Sequence, residues 1–459
     1  MAKTRAKLRM TAVENHATSQ AGEKGWRTLL QPLLLLAMRG GSTVGKFLLA
    51  IYTARYLGLA DLGIYGLLVG AVTIMPAVAG FGMTEWIMRK IVDLPRAEAL
   101  PLVASRLSLT LIVHLIVQPI ALGLDILLGE PIPLHIAILC GAILLLENLG
   151  TEAVDMLIAR RRVLLAYLLT FLRTGAWPFP VIAIGLLYPQ TRTLEFLLLG
   201  WLTVLVANWL IMIGLVVPEG RWRLLRPDVG VLLRDLHGIL LLYVKDVSTT
   251  VSMFIDRFLI SMFLGLELTG VYTLFWSIAN VVHSLSVYGV LQAQLPHLIA
   301  TAQTHDKSAL DALERHLQIE TGLWTLLLAA AAAVATPLML PYLDRPLVQD
   351  YLPVFWVILA ATLLRIAADS YGFLLLALHR DRAIAIIALG GAIASAALNL
   401  LLTPLAGLWG ASAAYVLTSA GLFIARYALA RPGKEADDSD AGLTESEANR
   451  AAVESANLL

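Results

Sequence analysis

The sequence predicts an all-α polytopic membrane protein of about twelve transmembrane helices, in two six-helix lobes related by a parallel pseudo-twofold repeat. The first observation is composition: 58% of the 459 residues are hydrophobic, only 15% are charged, and the mean hydropathy is +0.77. The second is a series of apolar runs of roughly 20 residues, each long enough to cross a hydrocarbon core of about 30 Å. No run alternates with the period of two that a barrel strand needs. The third is an internal repeat.

The repeat joins two short breaks between apolar runs. Leu57–Tyr65 reads LGLADLGIY, and 207 positions later Leu264–Tyr272 reads LGLELTGVY. A shared Leu-Gly and a shared Gly-x-Tyr at the same junction indicate two copies of one membrane module, which is a common architecture of transporters.

Six predicted spans fall in each half, so the chain returns to its starting side and the two halves have the same orientation. The predicted spans are roughly residues 29–54, 62–86, 103–128, 133–156, 163–188, 194–217, 238–263, 269–294, 317–343, 351–374, 383–404 and 407–430. They define an N-terminal segment (1–28), an N-lobe (29–218), a connector (219–237), a C-lobe (238–430) and a disordered polar tail (431–459).

The distribution of Lys and Arg predicts that both termini are cytoplasmic. If the N-terminus is cytoplasmic, only Arg55, Arg192 and Arg345 fall on the opposite side. The cytoplasmic side then holds the basic N-terminal segment, Arg106, the run Arg160–Arg162 and the basic connector. The first 28 residues are polar, and the run that follows is long enough to remain as a span, so no cleavable signal peptide is expected.

Charged residues within the spans point to function, because each costs roughly 2.5 to 3.5 kcal/mol on insertion scales and usually faces a bundle interior or an aqueous cavity. In the first span, Arg39, Ser42, Thr43 and Lys46 have helical spacing and share one face. This face either contacts cargo or holds helices together through snorkelling and ion pairs.

The seventh span is unusually polar and carries Lys245, Asp246, Asp256 and Arg257. At the repeat offset Asp246 corresponds to Arg39, so these two residues can pair across the lobe interface in one conformation and separate in another. Alternatively, Lys245 and Asp246 lie near the cytoplasmic end and reach water.

A second alignment, with an offset of 218, relates the fourth and tenth spans. It matches Glu147 with Arg365 and Thr151 with Asp369, and in each helix the pair is four residues apart on one face. We expect these residues either to act at the lobe interface in gating or to tie helices together. Arg173 lies near two prolines of the fifth span, which free backbone groups close to a charge.

Several chemistries are excluded by the motifs that are missing. The sequence contains no complete phosphate-binding Gly-x-x-x-x-Gly-Lys-Ser/Thr loop, because the run with this spacing, Gly40–Lys46, lies in the first predicted span and is followed by Phe47. It also has no His-Glu-x-x-His and a single cysteine, Cys140, so no enzyme activity, metal or cofactor is expected. The first span has two cations and no carboxylate, which suits an anionic cargo and fits poorly with a carrier of organic cations.

Other stretches resemble a known family. Tyr56–Tyr65, Phe81-Gly82 and Arg89 resemble the N-terminal signature of the polysaccharide biosynthesis and export proteins, the oligosaccharide flippases of the MOP superfamily. Asp256-Arg257 before Leu264-Gly265, and the stretch Leu398–Leu417, resemble that family's second lobe.

The resemblance implies a bacterial inner-membrane carrier that flips an undecaprenyl-pyrophosphate-linked oligosaccharide, with its lobes rocking about a central cavity. Its expected partners are this lipid-linked cargo, membrane lipids and a polysaccharide polymerase or glycosyltransferases, and no nucleic acid. Within that picture the residues expected to contact the substrate are Arg39, Lys46, Arg173, Lys245 and Arg257, and those expected at the lobe interface or gate are Asp246, Asp256, Glu147, Arg365 and Asp369.

Two other functions stay open. A multidrug and toxin extrusion carrier shares the two-lobe plan but needs a membrane carboxylate in the N-lobe to couple Na⁺ or H⁺, a role for which Glu147 and Asp155 are available. The second open function is that of a subunit of a polysaccharide-secretion complex that transports nothing itself. The lipid II flippase resembles the chain in its cationic cavity but typically has two further helices.

Overall fold

The computed structural model describes residues 37–430 apart from 84–86, 89–90, 93, 95, 129–131, 160–161, 217–235 and 305. The predicted N-terminal segment, the tail and nearly all of the connector therefore lie outside the described residues. The chain divides into two compact units, Met1–Tyr243 and Val244–Leu459. Every regular element among the described residues is helical, which confirms the all-α prediction.

The helices of the first unit follow the predicted spans closely. They are α1 (37–52, ending in a π-helical turn Thr53–Leu57), α2 (Leu59–Gly80), α3 (Arg96–Leu128), α4 (Leu134–Ala159), α5 (Val163–Leu187) and α6 (Leu194–Val216). A π-helical turn, Leu172–Ala176, interrupts α5 just before Pro178. Proline lacks an N–H and favours the first turn of a helix, so the second half of α5 restarts there.

The second unit contains two long helices that glycines break. Leu236–Ser286 breaks at Gly265 into α7 (236–264) and α8 (266–286), and α8 continues through Val287–Leu291 and Gln292–Gln303. Asp381–Ala430 breaks at Gly407 into α11 (381–406) and α12 (408–430). The remaining helices are α9 (Lys307–Leu343), the short helix Pro346–Asp350 and α10 (Leu352–Ala377).

Within the described ranges, nine segments are long and apolar enough to cross a membrane. Two of them are the glycine-broken pairs α7–α8 and α11–α12, and α1, which is described from residue 37 onward, brings the number of described helices to the twelve that were predicted.

Each unit is organised around its fourth helix. In the first unit α4 packs against α2, α3, α5 and α6, and in the second α10 packs against α9, α11 and α12. These helices carry Glu147 and Arg365, the residues that the second alignment of the halves matched, and both side chains are buried. A charge at the centre of such a unit requires a partner close by.

Candidate substrate-binding sites

Helix α1 lies very close to α5. A methyl group placed on Gly175 would come within 2.5 Å of Ser42 Cα, and one on Gly45 would lie 2.8 Å from the carbonyl oxygen of Gly175. Small residues at such a crossing let helix backbones approach closely. At this interface Arg39 donates a 2.8 Å hydrogen bond to the hydroxyl of Tyr167, and its guanidinium lies 5.1 Å from that ring's centre. Arg39 therefore already has a protein partner on α5.

Glu147 is the centre of a buried cluster in the first unit. Arg173 Nη1 lies 2.5 Å from Glu147 Oε2, and the indole of Trp201 donates a 2.8 Å hydrogen bond to Oε1. Arg173 also donates to Thr151 Oγ1 at 2.9 Å, and Trp177 stacks on Trp201 with ring centres 5.0 Å apart. Both carboxylate oxygens are thus bonded, and α4, α5 and α6 are tied together.

Lys46 differs from its neighbours in the first span. Its side chain is exposed in this unit, and among the described residues it forms no hydrogen bond or ion pair. It interacts electrostatically with Glu147 and Arg173 and therefore lies near the Glu147 cluster. An ammonium in this setting is available to an anion that enters from outside the protein.

The first unit also contains an ion pair that the sequence analysis missed. Arg106 was predicted among the charges of the cytoplasmic side, but its side chain is fully buried, with Nη2 2.6 Å from Glu152 Oε1. Thr110 donates to the same oxygen at 2.6 Å, and Arg106 donates to the carbonyl of Ala79 at 3.0 Å. Arg106 lies in α3, within the predicted span 103–128, and its charge is paired inside the unit. The predicted orientation of the termini stays a prediction. The four-residue spacing of Arg106 and Thr110 on one helix face was the available signal.

In the second unit Asp256 and Arg257 are adjacent and both buried. Asp256 accepts hydrogen bonds from the hydroxyl of Tyr272 at 2.6 Å and from the backbone N–H of Arg257 at 2.8 Å. The Arg257 guanidinium lies 3.8 Å from the ring centre of Trp276 and 4.7 Å from that of Phe254. Its three nitrogens have no hydrogen-bond partner among the described residues, although its side chain is only 1% exposed. This is the least satisfied charge in the described part of the unit.

Asp369 joins three helices of the same unit. Arg426 lies 2.5 Å from Oδ1, His283 Nε2 lies 2.8 Å from Oδ2, and Arg365 Nε lies 3.7 Å from Oδ1. The contacts link α12, α8 and α10. A small cavity next to them is lined by Met253, Trp276, Asn280, His283, Thr362, Arg365 and Tyr415.

The remaining predicted residues lie at the start of the second unit. Asp246 is exposed and Lys245 is partly buried. The pairing of Arg39 with Asp246 therefore stays a prediction. Within single units the structure brings together Glu147 with Arg173, Asp256 with Arg257 through its backbone N–H, and Arg365 with Asp369. Two further residues belong to the same region as Asp369: His283 contacts its carboxylate, and Tyr415 lines the adjacent cavity.

A scan against protein-family models gives no match, and neither does a search of curated proteins. Solved structures do match. One is a multidrug resistance MATE family transporter of the MOP superfamily in an inward-facing conformation, with a TM-score of 0.67 and 16% identity over 84% of this chain and 92% of that one.

A second is the lipid II flippase MurJ in an inward closed conformation, with a TM-score of 0.65 and 10% identity over 86% of each chain. A third is a MOP superfamily transporter from Pyrococcus furiosus, described as having a binding pocket of reverse polarity. Its TM-score is 0.54, with 14% identity over 86% of this chain and 92% of that one. The protein is a multi-pass membrane protein with the two-lobed helical fold that MATE transporters and MurJ share.

Proposed function

We propose that the protein is a flippase that moves an undecaprenyl-pyrophosphate-linked oligosaccharide across a bacterial inner membrane by alternating access of its two lobes. The fold supports a transporter, since its solved neighbours are MATE transporters and a lipid flippase of one superfamily. In this proposal both termini are cytoplasmic, the protein is not an enzyme, and a polymerase or glycosyltransferases act alongside it. Membrane lipids surround it, and no nucleic acid is involved.

The main support for the proposal is that Lys46, near the Glu147 cluster, forms no hydrogen bond or ion pair among the described residues. A lysine in a membrane span normally pairs with a carboxylate or reaches water, because an isolated charge is costly in hydrocarbon. The nearby carboxylate, Glu147, already receives Arg173 and Trp201. The Lys46 ammonium is therefore available to a pyrophosphate, whose oxygens accept strong hydrogen bonds from charged donors.

A MATE-type exporter of cations is the alternative, and the fold fits it equally. Such a carrier needs a carboxylate that is free to bind Na⁺ or a proton. The two carboxylates buried in the described part of the first unit, Glu147 and Glu152, each form an ion pair with an arginine. Asp155, the other carboxylate named in the sequence analysis, is partly buried and interacts with the charge of Arg106. These pairs favour the flippase over the exporter. The third function, a subunit that transports nothing, is separated from both by the assay below.

The test is reconstitution into vesicles with a fluorescent undecaprenyl-pyrophosphate oligosaccharide, whose exposure in the outer leaflet is followed with a membrane-impermeant quencher. We expect wild-type protein to accelerate exchange, and Lys46→Ala, alone or with Arg39→Ala, to slow it at least tenfold. Arg382→Ala is the matched control, because Arg382 is an exposed cation at the start of α11. It should leave the rate unchanged.

Three outcomes would contradict the proposal. If the Lys46→Ala, Arg39→Ala double variant flips the lipid at the wild-type rate, at equal protein density, these two cations do not take part in transport. Exchange of a cationic dye against Na⁺ or H⁺, with no movement of the lipid, would establish the exporter instead. A protein that moves neither would be the non-transporting subunit.

A further inference from the structure

The cavity of the second unit lies between helices α7, α8, α10 and α12, and most of its lining residues have hydrogen-bonding side chains. Asn280 and His283 come from α8, Thr362 and Arg365 from α10, and Tyr415 from α12. The cavity is partly open, and its free volume of about 10 Å³ is roughly what one water-sized group needs. The cavity can therefore admit one small polar group and excludes a whole sugar ring in this conformation.

The charges around the cavity do not balance. Three arginines (Arg257, Arg365 and Arg426) are accompanied by two aspartates (Asp256 and Asp369). The three arginines exceed the two aspartates by one positive charge. Buried charges usually have a partner, since an uncompensated one costs several kcal/mol. The site is built for one additional negative charge.

The unsatisfied donors identify where that charge belongs. Arg365 lines the cavity, and its Nε has no hydrogen-bond partner in the part of the chain that the structure describes. Arg257 lies directly behind the cavity wall, because its guanidinium stacks on Trp276, which lines the space. An anion in the cavity would receive donors from Arg365, Asn280 and Tyr415 and would be stabilised by the charge of Arg257.

We propose that this cavity binds one carboxylate group. A carboxylate is planar and small, so it can place one oxygen in the cavity while the rest of the group lies at the opening. It carries the single charge that the site lacks, and its oxygen accepts strong hydrogen bonds from charged donors such as Arg365. A phosphate dianion is bulkier and carries one charge too many. If the protein is the flippase proposed above, on which this step rests, the carboxylate belongs to an acidic sugar, and the cargo is an acidic oligosaccharide with its ring outside the cavity.

Binding is measured first, on the full-length protein in detergent, by isothermal titration calorimetry with sodium D-glucuronate, D-glucose, sodium acetate and inorganic phosphate. We expect glucuronate to bind more tightly than acetate, phosphate to bind at least tenfold more weakly than glucuronate, and glucose to give no heat. Binding of glucose as tight as that of glucuronate would overturn the proposal. Equal binding of acetate and glucuronate would overturn the assignment to a sugar and make a free small acid the ligand.

Variants then locate the site. Arg365→Gln should weaken glucuronate binding at least tenfold, and its fold should survive because Asp369 keeps Arg426 and His283 as partners. Asn280→Ala, a milder change in the same lining, should weaken binding severalfold. Arg382→Gln removes an exposed charge outside the cavity and should bind like the wild type. Unchanged affinity in both cavity variants would place the ligand elsewhere and overturn the proposal.

Transport distinguishes this inference from the proposed function. Two lipid-linked oligosaccharides that differ only in glucuronate against glucose should be flipped at rates at least fivefold apart, and Arg365→Gln should remove the difference. Equal rates in the wild type would overturn the acidic cargo while the flippase stands. If neither lipid moves, the flippase fails, and the binding experiment still decides whether the cavity takes a carboxylate.

Discussion

Gly58 and Gly265 adopt the same rare backbone conformation at equivalent places in the two halves of the chain. Their φ and ψ angles are 135° and 171° for Gly58, and 82° and 175° for Gly265. Each residue ends the first helix of its unit, and the second helix follows at once. Since this region of φ and ψ is essentially restricted to glycine, the repeat LGLADLGIY and LGLELTGVY marks a shared turn as well as a shared sequence.

Replacing either glycine by alanine should destabilise its unit by about 1–3 kcal/mol, because the strained backbone alone sets the cost. A methyl group at either position would meet no atom within 4 Å, so steric overlap does not contribute. Gly421→Ala is the control, since Gly421 is helical in α12 and equally uncrowded. The measurement is thermal unfolding in detergent. Equal midpoints for Gly58→Ala, Gly265→Ala and Gly421→Ala would contradict the shared turn.

The sequence predicts the helices of this fold well because hydrophobic length and glycine breaks are local properties. Of the predicted spans that the structure describes, 163–188 is observed as Val163–Leu187 and 194–217 as Leu194–Val216. The depth of Glu147 and Arg365 in their units could also be inferred, because lining up the two halves places both on the fourth helix of a unit.

The partners of these charges could not be predicted, because they depend on how each helix is rotated. Glu147 lies on α4, whereas its partners Arg173 and Trp201 lie on α5 and α6. A one-dimensional pattern gives the depth of a residue but not the neighbouring helix that it faces. For the same reason the pairing of Arg106 on α3 with Glu152 on α4 could not be predicted from the sequence.

The Arg106–Glu152 pair should behave as a buried ion pair. Glu152→Gln leaves the Arg106 charge without its counterion, and we expect a loss of about 3–5 kcal/mol in stability. Replacing both residues, Arg106→Met with Glu152→Leu, should lose much less, because no isolated charge remains. Thermal unfolding of Arg106→Met, Glu152→Leu and the double variant provides the cycle, and Glu152→Gln is measured beside them.

The control for this cycle is Glu195, whose ion pair with His135 at 2.6 Å lies at the surface of the first unit with both side chains more than half exposed. Exposed pairs contribute about 0–1 kcal/mol, so Glu195→Gln should have little effect. A Glu152→Gln variant as stable as Glu195→Gln would mean that the α3–α4 pair contributes nothing.

Asp306 begins α9 and should make its first turn sensitive to acid. Its carboxylate accepts hydrogen bonds from the side chain and backbone of Ser308 and from the N–H of Ala309, and these bonds lower the pKa of Asp306 below its ordinary value. A lowered pKa in the folded state means that this stabilisation is present above the unfolded-state pKa of about 3.9 and is lost as the pH falls through the folded-state value.

Hydrogen exchange at the amides of Ser308 and Ala309 measures this effect directly. Their protection should be constant from about pH 7 to pH 5 and should fall only in stronger acid, after correction for the intrinsic exchange rate. Asp306→Asn keeps a capping side chain and should remove the acid dependence, whereas Asp306→Ala should expose both amides at every pH. Acid-dependent protection in Asp306→Asn would assign the transition to another group.

The contact between α1 and α5 should not tolerate a side chain at Gly175. A methyl group there would lie 2.5 Å from Ser42 Cα and 2.6 Å from Ser42 Cβ, so the two helices must separate. We expect Gly175→Ala to cost about 1–3 kcal/mol, as overpacking does elsewhere, and to weaken the bond between Arg39 and Tyr167. Thermal unfolding of Gly175→Ala is compared with that of Gly123→Ala, where a methyl group meets no atom within 4 Å.

The Glu147→Gln variant tests whether Glu147 has only a structural role, as the counterion of Arg173, or also acts in gating. Glu147→Gln keeps the shape of the side chain and an oxygen for Trp201, but it removes the counterion of Arg173, a change that typically costs about 3–5 kcal/mol. If the pair only holds α4 to α5, stability should fall while the lipid exchange rate per folded molecule stays constant. If Glu147 acts in gating, the rate per folded molecule should change at a temperature where the variant is fully folded.

We expect a loss of stability with an unchanged rate per folded molecule, because Arg173 and Trp201 occupy both carboxylate oxygens of Glu147. Glu147→Gln combined with Arg173→Met, which removes both charges, should then recover stability.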